Sequence, residues 1–500
     1  MSSRLLLAAA PLLAVSPASL PAQTASSPTV STESLRRHIE VLASDAFEGR
    51  QPGTPGETKT LAYLSRQMAT IGLRPAAADG SWYQPVDLVT RKPFAHRALW
   101  THDGRILDFD QGNGVFIGKA PSESIEGAPV YFVGHGAVIE DRGIDQLAGA
   151  DLKGAVALIL YDPPRVPNFP DFAARVRTVT QAGAAAVIGI VGDEIPWSSV
   201  TGSYSAGQNN LQSAPVPRVQ GAMPIAAAAR LVNDSGGDFE KLLADPGPSF
   251  QAVRLKPRAT LDVSTRIHAY PSYNVIGRLR GSGSTGESVL YLAHWDHLGI
   301  CRAEGAADRI CNGAVDNASG VAAMLEIARH LARGPRPVRD VLFMATTAEE
   351  LGLLGAHHFA QNPTVPLKSL VAAINIDTVA IAGKGKPAAI VGRGATAIDS
   401  VADQTARELG REVDADAEAK PFVQRQDGWA LTRAGVPSVM VGGSFGSMAE
   451  LDAFLSGPYH KPEDDLSRPI ELGGAAEDTE LMIALGRKLA DPAVYPPPAR

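Results

Sequence analysis

Short apolar runs alternate with amphipathic segments in the second half of the chain. Residues 289–293, 341–345 and 370–376 are almost entirely apolar, which is typical of strands buried on both faces of a sheet. Apolar residues at helical spacing follow the first run, at Val321, Met324, Leu325, Ala328 and Leu331. Strands that alternate with helices predict an open α/β fold in this half.

Further elements flank these strands. Residues 31–43 and 57–73 have the pattern of amphipathic helices and are joined by a turn-rich stretch at 49–56. Towards the carboxyl end, residues 395–410 and 470–489 also predict helices, and residues 438–441 predict another strand. The last ten residues, 491–500, are rich in proline and are expected to form a tail.

Residues 111–265 differ in character from both flanks. Runs at 130–133 and 155–160 predict strands, residues 172–181 predict a helix, and an apolar run follows at 184–190. This pattern indicates a small αβ module that brings no catalytic set of residues together. Its one tempting side chain, His135 within a Gly-His-Gly sequence, is interpreted as structural.

Length and charge narrow the class of protein. A chain of 500 residues predicts two or three domains. The formal net charge is −7 and no basic face is evident, so nucleic acid is not expected as a partner. The sequence does not indicate an oligomeric state.

The amino terminus predicts export. Arg4, the apolar residues 5–15 and a segment of small residues ending at Ala22 have the order of a secretory signal peptide, residues 1–22. The alternative, a buried N-terminal helix, is opposed by the Ser/Thr/Pro-rich stretch that follows. No other run predicts a membrane span, and no cysteine follows the signal to carry a lipid anchor. We therefore expect a periplasmic or extracellular protein.

Cys301 and Cys311 are the only cysteines. In an oxidising compartment they could form a disulfide, which would stabilise the fold by roughly 2–3 kcal/mol. The alternative, a pair of thiolate metal ligands, is disfavoured because their spacing does not match a zinc ribbon.

Candidate metal ligands follow the apolar runs. His294 and Asp296 end the first strand, and alternate residues of a strand point the same way, so the carboxylate could orient the imidazole. Asp316 precedes the helix at 321–331, and Asp377 ends the strand at 370–376. Side chains at the carboxyl ends of sheet strands often converge. Singly, each feature has an ordinary structural explanation; together they predict a metal site.

Two adjacent acids come after the strand at 341–345. Glu349 and Glu350 are predicted to begin a helix, where neighbouring residues diverge by about 100°, so that one could bind a metal and the other a water. His357 and His358 lie too far along this predicted helix to share the ion and are interpreted as structural.

A glycine-rich stretch at 281–286 matches the dinucleotide fingerprint GxGxxG. A strand follows it instead of a helix, so no helix N-terminus is available for a pyrophosphate. We interpret the stretch as a hairpin loop and predict no dinucleotide.

The motifs resemble those of the co-catalytic di-zinc aminopeptidases, a family that also contains glutamate carboxypeptidase II and the non-catalytic transferrin receptor. The resemblance covers residues 31–110 and 270 to the closing helix, in five motifs. These are His294-x-Asp296, Gly313-Ala314-x-Asp316-Asn317-x-Ser319-Gly320, Glu349-Glu350, Asn375-Ile376-Asp377 and Tyr459-His460-x-Pro462-x-Asp464. Residues 111–265 resemble the protease-associated (PA) domain inserted in many members, through the stretches 151–156 and 181–184.

The resemblance implies a mixed, mostly parallel central sheet flanked by helices, as in the zinc-peptidase phosphorylase/hydrolase-like fold. The implied domains are residues 31–110 as the N-terminal part of the peptidase domain, 111–265 as the PA-like insert and 266–490 as the catalytic domain.

The resemblance also implies two zinc ions per chain, although nitrogen and oxygen ligands accept manganese and cobalt as well. His294 and Asp377 would bind one ion, Glu350 and His460 the other, and Asp316 both.

The same resemblance assigns the remaining roles at the site. Asp296 would orient His294, Glu349 would be the general base, and Tyr459 is a candidate hydrogen-bond donor to the oxyanion. Many relatives carry Ser-Asp-His where this chain has Gln426-Asp427-Gly428, which affects the shape of the pocket.

These observations predict an exported zinc metallopeptidase that acts on peptides, foremost as an aminopeptidase. Action on dipeptides or acidic C-terminal residues is an alternative. A related amidohydrolase is a second alternative, although that group usually has Met-Lys-Gly after the bridging aspartate, where this chain has Asn317-Ala318-Ser319. A third is a binding protein on an inactive peptidase scaffold, which the complete ligand set opposes.

Overall fold

The computed structural model describes residues 29–107, 114–164, 169–244, 247, 249–415 and 418–497. The predicted signal peptide, residues 1–22, lies outside the described residues, as does the end of the predicted tail. In the described part of the chain, no helix combines the length and the apolar character needed to cross a membrane.

The helices occur mainly at the two ends of the chain and around the predicted catalytic half. They are α1 (Thr32–Leu42), α2 (Pro55–Ile71), α3 (Phe172–Gln181), α4 (Trp197–Ala206), α5 (Ile225–Asp234), α6 (Phe239–Leu243), α7 (Gly320–Arg333), α8 (Leu354–Gln361), α9 (Ile398–Glu408), α10 (Gly428–Arg433), α11 (Met448–Ser456) and α12 (Leu472–Leu489).

Most strands belong to one large sheet. They are β1 (Arg74–Pro75), β2 (Tyr83–His102), β3 (Arg105–Leu107), β4 (Val115–Gly118), β5 (Ser122–Phe132), β6 (Val138–Ile139), β7 (Ile144–Asp145), β8 (Val156–Leu160), β9 (Ala186–Val191), β10 (Gln208–Leu211), β11 (Val219–Pro224), β12 (Val253–Leu279), β13 (Ser288–His294), β14 (Gly299–Ile300), β15 (Ile310–Cys311), β16 (Asp340–Thr346), β17 (Leu370–Asn375), β18 (Ala389–Val391) and β19 (Ser438–Gly442).

The predicted catalytic half is built on four parallel strands in the order β19-β17-β13-β16. An antiparallel strand closes each side, β18 beside β19 and β12 beside β16. Every residue of β13 and β17 is buried, which explains why both strands are apolar without alternation. The predicted mixed, mostly parallel sheet is confirmed.

Helices cover both faces of this sheet. Val289, Tyr291 and Ala293 of β13 pack into the same apolar cluster as α1, α7 and α12. Leu290 and Leu292, which point the opposite way, pack with α8 and α10. The carboxyl ends of the strands therefore form an open edge between two helical layers.

The second half of the sheet contains three further parallel strands, β8, β9 and β11, with β5 parallel to β8 at one side. Helix α3 has the predicted bounds, 172–181. The two halves share one long strand, since β12 pairs with β5 in its first part and with β16 at its end. The predicted domain boundary at residue 265 lies inside this strand, at a β-bulge between Ser264 and Thr265.

The glycine-rich stretch at 281–286 is not a hairpin loop, so that prediction is wrong. It connects β12 to β13, and β16 lies between these two strands in the sheet. Its backbone instead binds the segment before β16, where Ser282 N–H and Gly283 N–H donate to Pro337 and Val338.

Candidate metal centre

The predicted ligands lie at the carboxyl edge of the catalytic half. His294 is the last residue of β13, and Asp377 follows β17 by two residues. Asp316 lies in an irregular turn that leads into α7, and Glu350 follows β16. His460 comes from a turn after α11 and has a left-handed φ of 59°. Five segments far apart in sequence thus meet at one edge.

One group of ligands contains His294, Asp316 and Asp377. The Nε2 atom of His294 lies 3.3 Å from Oδ1 of Asp316 and 3.5 Å from Oδ1 of Asp377. The three ligand atoms are close enough to bind one ion. This is the set predicted for the first metal.

A second group lies on the other side of Asp316. The Nε2 atom of His460 is 3.3 Å from Oδ2 of Asp316 and 3.0 Å from Oε2 of Glu350. The two oxygens of Asp316 therefore face different imidazoles. Asp316 therefore lies between the two imidazoles, and the structure brings all five predicted ligands together.

The second group also contains a residue to which the sequence analysis assigns no role. His297 Nδ1 lies 2.6 Å from Oε1 of Glu350 and 3.9 Å from Oδ2 of Asp316. These three residues form a further set that could bind an ion. The available signal was a second histidine directly after Asp296 at the end of an apolar strand.

Asp296 is placed differently from its prediction. The Nδ1 atom of His294 is 3.1 Å from the backbone oxygen of Asp296, whereas the carboxylate is 3.9 Å away. The Asp296 carboxylate instead accepts hydrogen bonds from the backbone N–H groups of Glu349 and Glu350, at 3.1 and 3.3 Å. It therefore fixes the turn that contains both acids.

Glu349 and Glu350 do not begin a helix, so that prediction is wrong. They lie in a turn, and α8 begins only at Leu354. Ala348 and Leu353 adopt left-handed φ values of 53° and 57° on either side of the turn. Because its N–H groups bind the Asp296 carboxylate, the segment forms a loop that faces the site.

Asp464, the last residue of the Tyr-His motif, fixes the bridging aspartate. Its carboxylate accepts hydrogen bonds from the N–H groups of Val315 and Asp316, at 2.9 and 3.0 Å. Asp464 is 2% exposed, and burial raises its pKa to about 6. The loops of His460 and Asp316 are thus joined directly.

The electrostatics of the cluster follow from crowded carboxylates in a buried site. Burial and neighbouring carboxylates, Asp427 foremost, raise the pKa of Glu349 well above its usual value. Burial opposes the charging of His294, but Glu349 and Asp377 raise its pKa well above the usual value. Burial also opposes the charging of Asp316, yet its contacts with His294 and His460 lower its pKa. The cluster is therefore stabilised by positive charge among its carboxylates.

The donor atoms fit zinc. Imidazole nitrogens and carboxylate oxygens are ligands that zinc accepts. Among the described residues, Oδ1 of Asp377 and Nε2 of His460 are buried without a hydrogen bond of good geometry, and the atoms within 3.5 Å of them belong to other candidate ligands. Unpartnered buried polar atoms are costly unless something else binds them.

A cavity opens beside the cluster. It is lined by Asp316, Glu349 and Asp377 together with apolar residues, Arg425 and Tyr459. The Tyr459 ring stacks on His460 with 3.7 Å between ring centroids, and its hydroxyl lies 3.4 Å from Nη2 of Arg425. Tyr459 thus lies next to the predicted ligands. Asp427, from the Gln-Asp-Gly sequence, is buried and accepts a hydrogen bond from Thr346 at the end of β16.

Cys301 and Cys311 are joined by a disulfide, with 5.8 Å between their Cα atoms. The bridge closes the loop between the strand end of His294 and the turn of Asp316, and β14 pairs with β15 within it. It therefore constrains the connection between two candidate ligands.

Comparison with known proteins gives one family. Residues 274–485 match the sequence model of "Peptidase family M28". A probable zinc metalloprotease of Pyrenophora teres f. teres is 38% identical over 105 residues, which are 21% of this chain and 22% of that protein. The chain thus spans about a fifth of the length of this relative.

Two longer alignments extend beyond that segment. The probable lipoprotein aminopeptidase LpqL of Mycobacterium tuberculosis is 24% identical over 463 residues, covering 87% of this chain and 79% of that protein. The solved structure of the aminopeptidase from Aneurinibacillus sp. strain AM-1 has a TM-score of 0.53 at 18% identity, covering 92% of this chain and 94% of that one. This likeness supports the observed fold.

The matched segment contains each residue that the sequence predicts as a metal ligand, together with Asp296, Glu349 and Tyr459. Over residues 274–485, this chain is therefore similar to peptidase family M28.

Proposed function

We propose that this chain is a zinc-dependent metallopeptidase that acts as an aminopeptidase on peptides. The observation that carries the proposal is the position of Asp316, whose two oxygens lie 3.3 Å from His294 and 3.3 Å from His460. A carboxylate between two imidazoles, each with a further carboxylate beside it, is the arrangement that two neighbouring cations need.

In this proposal His294 and Asp377 would hold one zinc ion, Glu350 and His460 would hold the second, and Asp316 would serve both. Zinc, when bound, supplies Lewis acidity that polarises a carbonyl group and lowers the pKa of water. The chain's contribution is to fix the ligands: Asp464 anchors the backbone of Asp316, and His297 donates to Glu350.

Glu349 is the proposed general base. It lines the cavity with Asp316 and Asp377, and its backbone N–H is fixed by Asp296. Because its carboxylate lines the cavity beside the proposed ligands, Glu349 can accept a proton from water and then donate it to the leaving amine. Among the described residues the Glu349 side chain forms no ion pair with a proposed ligand, in contrast to Glu350, which contacts His297 and His460.

The cavity favours an apolar side chain in the substrate. Its wall away from the cluster is formed by Phe422, Met440, Phe445, Leu451, Phe454 and Leu455. An apolar wall of this kind gains free energy by burying an apolar group of the ligand. The aminopeptidases that resemble this chain support action at the N-terminus of a peptide.

One observation favours a second candidate, hydrolysis of dipeptides or of acidic C-terminal residues. Arg425 is exposed at the cavity and forms no ion pair with a carboxylate among the described residues. Its guanidinium carbon lies 5.6 Å from the centroid of the Phe422 ring. A guanidinium that faces a cavity can bind a substrate carboxylate.

Export is also part of the proposal. It is supported by the pattern of residues 1–22 and by the Cys301–Cys311 disulfide, since disulfides persist mainly in oxidising compartments.

The test compares substrates with the purified full chain. Aminoacyl-anilides with apolar side chains should be hydrolysed, their N-acetylated forms should not, and a chelator should abolish the activity until zinc is restored. A preference for free dipeptides that is lost in Arg425→Gln would support the second candidate. Equal cleavage of N-blocked peptides would contradict an aminopeptidase. Activity that resists the chelator would contradict a zinc enzyme.

A further inference from the structure

A residue outside the segment matched by the family M28 model contacts the loops that carry two of the proposed ligands. Arg50 belongs to the turn between α1 and α2 and is 1% exposed. We propose that Arg50 is a positioning residue of the metal centre, which holds together the two loops that carry His294 and Asp316. The inference rests on the proposed zinc site.

The guanidinium of Arg50 donates hydrogen bonds to four backbone carbonyl oxygens. Nε donates to Trp295 at 2.8 Å, and Nη2 donates to Gly313 at 2.9 Å. Nη1 donates to both Leu42 and Asn312, at 2.7 and 2.6 Å. Three separate segments of the chain are therefore held by one side chain.

Two of these segments carry ligands. Trp295 lies between His294 and Asp296, and Gly313 begins the turn that contains Asp316. The backbone of Arg50 adds another contact, because its carbonyl oxygen accepts from the N–H of His297 at 3.4 Å. Arg50 thus binds the end of the His294 strand and the start of the Asp316 turn at once.

The turn that contains Arg50 is fitted closely against the disulfide loop. Gly49 and Arg50 adopt left-handed φ values of 63° and 53°. A Cβ atom at Gly49 would lie 2.4 Å from the carbonyl oxygen of Cys311 and 2.8 Å from that of Gly299, so only glycine fits there. This packing delivers the guanidinium to the space between the two ligand loops.

We expect Arg50 to strengthen metal binding through the hydrogen bonds that it forms, although its positive charge opposes the binding of a cation. Burial lowers the pKa of Arg50 to about 10, against the opposing effect of Asp464 and Asp316, so the group is cationic at neutral pH. A cation beside two dications is unfavourable by Coulomb's law. Its benefit must therefore come from fixing the carbonyl groups, for which the rigid fork of arginine is suited and the single ammonium of lysine is not.

The insert supplies a matched control. Arg175 is 0% exposed and donates to the backbone oxygens of Pro170, His135, Leu160 and Tyr161. It makes the same kind of contact as Arg50, but in the half of the sheet where no candidate metal group occurs among the described residues. Replacing either arginine removes comparable hydrogen bonds.

The experiment measures zinc affinity by chelator competition in full-length Arg50→Lys and Arg175→Lys, with thermal unfolding recorded with and without zinc. Arg50→Lys should weaken zinc binding by roughly 10–100-fold, the usual effect of losing a group that orients ligands. Both variants should unfold at lower temperature, but only Arg50→Lys should lose part of the stabilisation that zinc gives.

Zinc affinity in Arg50→Lys equal to the wild type, or an equal loss in Arg175→Lys, would overturn the proposal. If Arg50→Lys does not fold, Gly49→Ala takes its place, because it keeps the guanidinium and displaces the turn. An unchanged zinc affinity in Gly49→Ala would also overturn the proposal. A wild-type protein that binds no zinc would refute the proposed function instead, so the two failures are distinct.

Discussion

The two halves of the sheet have similar edges with different contents. In each half, buried parallel strands end at an open carboxyl edge, as β13 does in one and β8 in the other. Each edge contains a buried arginine that donates to backbone carbonyl groups, Arg50 beside β13 and Arg175 beside β8. Both edges are therefore held by the same kind of contact, from a buried guanidinium to backbone carbonyl groups.

The side chains around the two arginines differ. Carboxylates and imidazoles surround Arg50, and both candidate metal groups of the described residues lie at that edge. Arg175 instead lies 5.9 and 5.5 Å from the ring centroids of Phe169 and Phe172. The comparison teaches that apolar strands and a buried arginine build an edge, while the residues that follow the strands decide whether it can bind metal.

The largest expected effect concerns Glu349, at the edge that contains Arg50 (the first edge). Its replacement should affect catalysis and leave metal binding unchanged. Glu349→Gln should lower the turnover rate by about 10²–10⁴-fold because the proton acceptor is lost. Its zinc content should stay unchanged, since Glu349 is not a proposed ligand. Peptide hydrolysis and metal analysis measure the two effects. Glu412→Gln, at an exposed position, serves as control; a similar loss there, or full activity in Glu349→Gln, would contradict the assignment.

A smaller effect is expected from His297, which contacts Glu350 at 2.6 Å. His297→Gln should weaken zinc binding by about 10–100-fold, because Glu350 loses the hydrogen bond that orients it. Competition with a chromogenic chelator gives the affinity. His358→Gln, on α8 away from the cluster, should bind zinc normally. An unaltered affinity in His297→Gln would show that the contact is dispensable.

The disulfide should affect stability only in the half that contains it. The double variant Cys301→Ser/Cys311→Ser should lower the free energy of unfolding by about 2–3 kcal/mol, because the unfolded chain gains freedom. Denaturant titration measures this difference, and reduced wild-type protein should reproduce it. A change below about 0.5 kcal/mol, the range of ordinary surface substitutions, would mean that neighbouring packing already fixes the loop.

The smallest expected effect concerns His135, at the edge that contains Arg175 (the second edge). It should appear only in the pH dependence of the stability. Burial, followed by the charge of Arg175, lowers the pKa of His135 to about 4 from 6.5. Between pH 6.5 and 4 the unfolded chain therefore binds a proton that the folded chain does not, and stability falls as the pH is lowered through this window.

His135→Phe should reduce that fall and leave peptide hydrolysis at pH 7 unchanged. Thermal unfolding at several pH values from 7 to 4 tests this expectation, with the exposed His268→Phe as the control. A loss of hydrolysis in His135→Phe would mean that the second edge takes part in the reaction, and the comparison between the two edges would fail.

Much of the first edge could be predicted because its strands are apolar without interruption and polar residues follow at once. The turn at Glu349 could not, because its left-handed residues are Ala348 and Leu353, types that give no local sign of such a turn. The same limit applies to Arg50, because three of its four acceptors, in Trp295, Asn312 and Gly313, lie in distant segments. Arg50 is buried by tertiary contacts, which the local sequence does not reveal.

Strand β12 illustrates a different limit. Every second residue of β12 from Leu255 to Val263 is buried, with partly or fully exposed residues between them, which is the alternation of a half-buried strand. The change in composition near residue 265 favours a domain boundary, yet the strand continues through it with a bulge. The change in composition therefore coincides with a bulge, and the backbone is continuous there.

That continuous strand restricts how the two halves can move. β2 and β12 pair from Tyr83–Val275 to Thr101–Arg258, so a hinge between the halves would have to break the backbone hydrogen bonds of this ribbon. Leu211, from residues 111–265, packs in one apolar cluster with Ala348, the neighbour of Glu349. If the chain acts on peptides as proposed, this region would form a fixed wall beside Glu349, and peptides would be selected by the width of the entrance and not by closure over them.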